Sequence, residues 1–255
     1  MFAAQVSGGE RSVPPAIRGR NRRCRLITGL DGAKVEAALN AEGCARIPGL
    51  LSDQQCDSLT RCYAEDALFR SRVNMASHGF GAGEYKYFAY PLPDPVAELR
   101  TRLYPPLAQI ANNWNRMLGV DNRYPDSHAA YLKICHASGQ TRPTPLVLKY
   151  GAGDYNCLHQ DIYGDQVFPL QLAILLSQPD RDFTGGEFVM TEQRPRMQSR
   201  AEVVSLNKGD AVLFAVNVRP RQGSRGVYRV KMRHGVSRLR SGERYTLGLI
   251  FHDAV

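Results

Sequence analysis

The stretch LKYGAGDYNCLHQD, residues 148–161, decides how the second half of this chain is read. Leu148-Lys-Tyr150 closes a β-prone run that starts at Pro145, and Gly151-Ala-Gly-Asp154 supplies a turn. Residues 155–159 then read as a short second strand. Successive side chains of a strand alternate between faces, so His159 and Asp161 share one side while Gln160 turns away. Cys157 falls on the His159 face by the same rule, in a packing role.

Working outward, the pattern from Thr144 onward is β throughout. Residues 145–150, 155–159, 167–177, 187–190, 202–206, 211–218, 228–236 and 245–251 read as strands. Turn signals at Thr184-Gly-Gly, Asn207-Lys-Gly-Asp and Arg221-Gln-Gly separate them. About eight strands suit a two-sheet jelly roll, or double-stranded β-helix, whose concave mouth is a usual place for a small site. Upstream the pattern is mainly helical. Val35 and Leu39 mark one helix, Ser52 with Gln55 forms a capping box for a second, and Asp94-Pro95 opens a third. The loop 72–83 leads into a strand at 84–88. The expectation is an α+β fold, a jelly roll braced by N-terminal helices. Residues 1–29 form a flexible basic arm and 30–255 one domain, with 30–143 as helical support and substrate loop and 144–255 as the core.

The chain has 255 residues and a formal net charge of +9. No apolar run approaches the roughly 18–20 residues of a membrane span, and the Arg-rich N-terminus has no apolar segment of a secretory signal. Six cysteines occur without a C-x-x-C pair, which fits reduced thiols and a cytoplasmic location. The charge is clustered: residues 1–30 carry six Arg and one acid, and 191–240 carry twelve Lys/Arg and three acids. Such clustering suits a polyanion, most obviously DNA or RNA, or else a solvated basic surface.

His234 stands seventy-three residues after Asp161, in the strand 228–236. Two imidazoles and one carboxylate make the facial triad of non-haem Fe(II) oxygenases, leaving three positions for a bidentate 2-oxo acid and O₂. Ten residues further, Arg244 and Thr246 share a strand face. A guanidinium with a hydroxyl beside it suits the distal carboxylate of 2-oxoglutarate. Gly248 would leave space beneath it, and Tyr150 is a further contact through its phenol. Metal affinity needs neutral imidazoles, so binding should weaken below about pH 6. His128, His136 and His252 are read as structural.

The pattern Tyr150…His159-Gln-Asp161…Gly185-Gly-Glu-Phe…Lys208-Gly-Asp…His234…Arg244-x-Thr246 resembles the Fe(II)/2-oxoglutarate dioxygenase superfamily over residues 144–252. Residues 148–161 look like the matching stretch of AlkB-type nucleic-acid demethylases, whereas the close spacing of His234 and Arg244 is that of the prolyl-hydroxylase-like branch. With Gly83-Glu-Tyr-Lys-Tyr-Phe-Ala-Tyr-Pro-Leu-Pro93 included, the chain is similar to a bacterial dioxygenase family thought to modify nucleic-acid bases. The resemblance implies Fe(II) and 2-oxoglutarate as cofactors. It implies oxidation or demethylation of a modified base, with His78, Phe80, Tyr85, Tyr87 and Tyr163 available for stacking. A peptide side-chain hydroxylase and a silent nucleic-acid-binding module are the alternatives.

Overall fold

The computed structural model describes residues 31–162 and 164–255; the arm 1–29 and Tyr163 lie outside the described residues. Helix α1 (Gly32–Glu42) opens on the Asp31 carboxylate, which accepts from the Lys34 N–H, and closes on left-handed Gly43. Helix α2 (Asp53–Cys62) carries the expected capping box, with Ser52 and Gln55 satisfying each other's backbone N–H groups. Helix α3 (Asp94–Met117) starts one residue earlier than expected. Pro93 is its N-cap, Asp94 lies in the first turn without capping, and the helix runs on through Pro105-Pro106. Its buried stripe, from Val96 and Leu99 to Ile110 and Trp114, overrides the cost of the two prolines. Helix α4 (His128–Ala137) has no counterpart in the sequence reading. It rests on a Ser127 cap and buries only His128, Tyr131 and Cys135, too few for a visible period.

Fifteen strands among the described residues, numbered in chain order, form three antiparallel sheets; eleven of them lie beyond Thr144, against about eight expected there, and the expected strand at 84–88 is present. The seven-stranded sheet runs β1 (Cys44–Ile47), β11 (Ala211–Ala215), β7 (Leu170–Leu175), β15 (Arg244–Leu249), β5 (Leu146–Tyr150), β4 (Glu84–Phe88) and β2 (Phe69–Asn74). The second runs β10 (Arg200–Val204), β9 (Phe188–Gln193), β13 (Gly226–Val236), β6 (Tyr155–His159) and β3 (Gly81–Ala82), with β12 (Val218–Gly223) also paired to β13. A small ribbon joins β8 (Phe183–Gly185) to β14 (Leu239–Gly242). The first half therefore contributes strands as well as helices: β1, β2 and β4 extend one sheet and β3 the other.

Two expected turns moved. Thr184-Gly185 is strand, paired with β14, and the chain bends at Gly185-Gly186, both at positive φ. Arg221-Gln-Gly is also strand, and the β12–β13 hairpin reverses at Ser224-Arg225 before Gly226 at φ 118°.

One core runs through the molecule. At the end of the seven-stranded sheet, Tyr104, Tyr131, Phe168 and Phe251 pack ring against ring beside buried His128. Next to them lies a buried ion pair: Arg100 donates to Asp253 at 2.7 Å, to the Ile250 carbonyl and to the His252 carbonyl. Tyr90 and His136 also bond the Asp253 carboxylate. His128 and His252 are structural, as expected, and burial followed by the charge of Arg100 pushes both down to about 4. No helix among the described residues is long and apolar enough to cross a membrane.

Candidate active site

His159 is the last residue of β6, and Asp161 follows two residues later, beyond the strand end. In β13, His234 sits directly opposite His159, and the register slips immediately afterwards, between His234 and Val236. A bulge there re-aims side chains beside the cluster. The result is one carboxylate shared by two imidazoles: Asp161 Oδ1 lies 3.3 Å from His159 Nε2, and Oδ2 lies 3.3 Å from His234 Nε2.

These three residues each bring one ligand atom within 4.8 Å of the others. Ligand atoms about 2.1 Å from a shared ion at right angles would stand roughly 3 Å apart, so the spacing suits one small cation. The chemistry of the donors suits it as well. His159 Nδ1 bonds the Cys157 carbonyl at 2.7 Å, and a carbonyl only accepts, so Nδ1 carries a proton and Nε2 is the nitrogen left to give one up and ligate an ion. Burial works against a charged imidazole at both histidines. At His159 the hydrogen bond to Asp161 and its charge outweigh burial, and the pKa is raised. At His234 burial prevails and the pKa falls. Asp161 is buried too, yet the two imidazoles hold it well below the usual carboxylate range. Phe214 and Phe188 pack against His234, with ring centres 4.5 and 6.0 Å away, and fix its plane.

The second charged element is Arg244, at the start of β15 and 2% exposed. Its Nη1 donates to Thr246 Oγ1 at 2.7 Å, while Nε has no partner among the described residues. No carboxylate among the described residues comes within ion-pair distance of it. Burial pulls its pKa down to about 10, against the opposing pull of Tyr150 and Glu187. The Tyr150 ring centre is 5.7 Å from the guanidinium carbon, and the buried Tyr150 hydroxyl closes no hydrogen bond of good geometry among the described residues. Gly186, at φ 65°, backs the arginine: a Cβ there would lie 3.1 Å from Arg244 Cδ and 2.3 Å from a Leu239 methyl. Gly248 gives its space to Leu146 rather than to Arg244, since a Cβ would meet Leu146 Cδ2 at 2.6 Å.

Both elements open onto one cavity of about 420 Å³ between the two large sheets. His159, Asp161, His234, Arg244, Thr246 and Tyr150 all line it. Of the expected stacking residues, Phe80, Tyr85 and Tyr87 line it as well, and His78 stacks behind Phe80 with ring centres 5.3 Å apart. Tyr163 lies outside the described residues. Cys157 departs from its expected packing role: it is exposed, at the cavity wall, and its carbonyl orients His159. Gln160, expected to turn away, also lines the cavity, while its amide donates to Asn217 and to the Met232 carbonyl. Sequence reasoning assigns no site role to Gln171 or Phe214, and Phe188 enters only within the Gly185-Gly-Glu-Phe pattern. For Gln171 a signal was present: a lone amide in the apolar run 169–176.

The basic segment 191–240 divides in two. Arg194, Arg219 and Arg221 surround the buried Glu192 carboxylate, and Arg219 is itself fully enclosed. Arg229, Lys231 and Arg233 alternate along β13 on the face opposite Val230, Met232 and His234, exposed and without acidic partners among the described residues.

Comparison with known proteins agrees with this geometry. Residues 83–254 match the Oxygenase-NA family, described as "Oxygenase, catalysing oxidative methylation of damaged DNA". An uncharacterised protein of Mycobacterium tuberculosis is 52% identical over 167 residues, covering 66% of this chain and 72% of its own length. The fold is similar to that of a prolyl hydroxylase from Trichoplax adhaerens, solved with a hypoxia inducible factor peptide (TM-score 0.54, 14% identity, 87% of this chain and 89% of that one). It is also similar to a Pseudomonas putida prolyl-4-hydroxylase (TM-score 0.51, 14% identity, 85% and 96%). The chain belongs to the Oxygenase-NA family.

Proposed function

We propose that this enzyme oxidises a modified or alkylated base of DNA or RNA, with His159, Asp161 and His234 holding Fe(II) and Arg244, Thr246 and Tyr150 holding 2-oxoglutarate. The observation that carries the assignment is the buried, uncompensated guanidinium of Arg244 in the same cavity as the triad. An enclosed cation without a counter-ion is costly, and a bound dicarboxylate removes that cost. We read the two sheets as a double-stranded β-helix and residues 30–255 as one dioxygenase domain.

With O₂, the bound cofactors supply hydroxylation of a C–H bond while 2-oxoglutarate is converted to succinate and CO₂. The chain's own residues bind, orient and enclose. Arg244 and Thr246 grip the distal carboxylate, and the Tyr150 hydroxyl has a free hydrogen-bonding capacity beside them. The Cys157 carbonyl and the Phe188 and Phe214 rings keep the two imidazoles aimed at one point. On an N-methyl group, hydroxylation gives a product that releases formaldehyde and the free base nitrogen, which is removal of a methyl group.

Three observations favour a nucleic-acid substrate. The family match covers most of the chain. Phe80, Tyr85 and Tyr87 at the cavity suit a base extruded from its stack. Arg229, Lys231 and Arg233 repeat every second residue, about 6.7 Å apart, on the outer face of the strand that carries His234, a comb for phosphates that lie outside the cavity. Incubation of N-methylated oligonucleotides with Fe(II) and 2-oxoglutarate tests the reading: formaldehyde and succinate in equal amounts support it, and no turnover of any nucleic acid overturns it. The spacing of His234 and Arg244 favours the second reading, a peptide side-chain hydroxylase, which predicts succinate formation stimulated by polypeptide and insensitive to nuclease.

A further inference from the structure

Buried polar side chains in folded proteins are hydrogen-bonded, and an exception calls for an explanation. Gln171 is one. It is 6% exposed, it lines the active-site cavity, and its Oε1 has no hydrogen-bond partner among the described residues. It interrupts the apolar run Pro169-Leu-Gln-Leu-Ala-Ile-Leu-Leu176, where a leucine would pack without stranding an amide.

Its position separates it from the 2-oxoglutarate end. Strands β15 and β7 pair Thr246 with Leu175 and Gly248 with Ala173, so Gln171 lies two residues further along the ladder. Arg244 is at the other end, about 20 Å away along the strand direction. A five-carbon diacid spans only about 5 Å over its four C–C bonds, so its distal carboxylate on Arg244 lies away from Gln171 and only its opposite end comes to the metal-ligand cluster. Across its other edge, Gln171 pairs with Phe214, whose ring packs on His234. The amide thus stands by the metal-ligand cluster on the side away from Arg244.

We infer that Gln171 recognises the substrate, its amide receiving the hydrogen-bonding edge of the group presented to His159, Asp161 and His234. The inference rests on the base-oxidising reading above and makes it specific. An amide offers one acceptor beside one donor, which complements an edge carrying an amino group beside an acceptor nitrogen, as adenine and cytosine do. The orphaned atom is the acceptor Oε1, so its partner is the amino group. Thymine methylated at N3 has neither an amino group nor a ring N–H and leaves Oε1 as it is in the free protein.

The test compares the full chain with Gln171→Leu and Gln171→Met, using single-stranded oligonucleotides that carry one N6-methyladenine, N4-methylcytosine or N3-methylthymine. Wild type is expected to prefer the two amino-bearing bases. Both variants should lose about 10–100-fold in kcat/KM on those bases and change less than about twofold on thymine. Their KM for 2-oxoglutarate in substrate-free succinate formation should stay within twofold, and their melting temperatures should rise, because an unsatisfied amide is gone. Unchanged base preference, a tenfold higher KM for 2-oxoglutarate, or melting temperatures lowered in both variants would each overturn the role of Gln171 alone. Absence of wild-type turnover on every oligonucleotide would instead overturn the base-oxidising reading, and this inference with it.

Discussion

Arg244 Nη1 donates to Thr246 Oγ1 at 2.7 Å, and this hydroxyl is the guanidinium's hydrogen-bond partner among the described residues, with no carboxylate in reach. A fold that spends a buried cation this way is expected to gain when the cation is removed. Arg244→Met should therefore melt higher than wild type without ligand, yet its KM for 2-oxoglutarate should rise about 100-fold, the loss of a charge-assisted pair. Thermal shift with millimolar 2-oxoglutarate reads both effects: wild type gains stability by ligand linkage and the variant does not.

Gly186 couples the turn after β8 to the same arginine. Its φ of 65° and the 2.3 Å approach of a Leu239 methyl exclude a side chain without local movement. Gly186→Ala is expected to cost about 1–3 kcal/mol and to raise the KM for 2-oxoglutarate, since Arg244 Cδ is the next atom in line. Urea unfolding and a cosubstrate titration separate the two effects.

The triad and its arginine were legible in the sequence because each follows from a local rule. Strand alternation puts His159 and Asp161 on one side, and a second apolar strand delivers His234. The Ser52–Gln55 capping box is equally local. What was not legible depends on partners distant in sequence. Strand β1 is four residues whose place is set by β11, some 165 positions later. Strand β12 was hidden because Arg221-Gln-Gly223 looks like a turn until the pairing strand is known. The basic segment was read as one surface, whereas burial of Glu192 draws Arg219 fully inside. Gln171 shows the same limit: its lone amide is visible, but only the register reveals where it points.

Acid should destabilise the fold through its buried histidines. His128 and His252 titrate at about 4 when folded and near 6.5 when unfolded. Below pH 6.5 the unfolded chain takes up protons that the native state refuses, so stability is full above that pH and falls as pH drops toward 4. At pH 5 the loss is about 2 kcal/mol per histidine. Urea midpoints at pH 7 and pH 5 measure it, and His128→Gln should lessen the slope.

The Arg100–Asp253 pair is enclosed on both sides, at 1% and 0% exposure. Breaking it strands a charge where no water reaches. Asp253→Ala is expected to cost about 3–5 kcal/mol, far more than removal of the exposed Arg102–Glu98 pair by Glu98→Ala, at under about 1 kcal/mol. Denaturant titration of the two variants checks the contrast.

The most direct test of the account is succinate formed from 2-oxoglutarate under air with added Fe(II), in wild type and in His159→Ala, Asp161→Ala and His234→Ala, each confirmed folded by circular dichroism. Wild type should convert 2-oxoglutarate to succinate with matching O₂ consumption, and each variant should lose at least about 100-fold. Succinate formation that persists in folded variants, or that wild type fails to show, would contradict it.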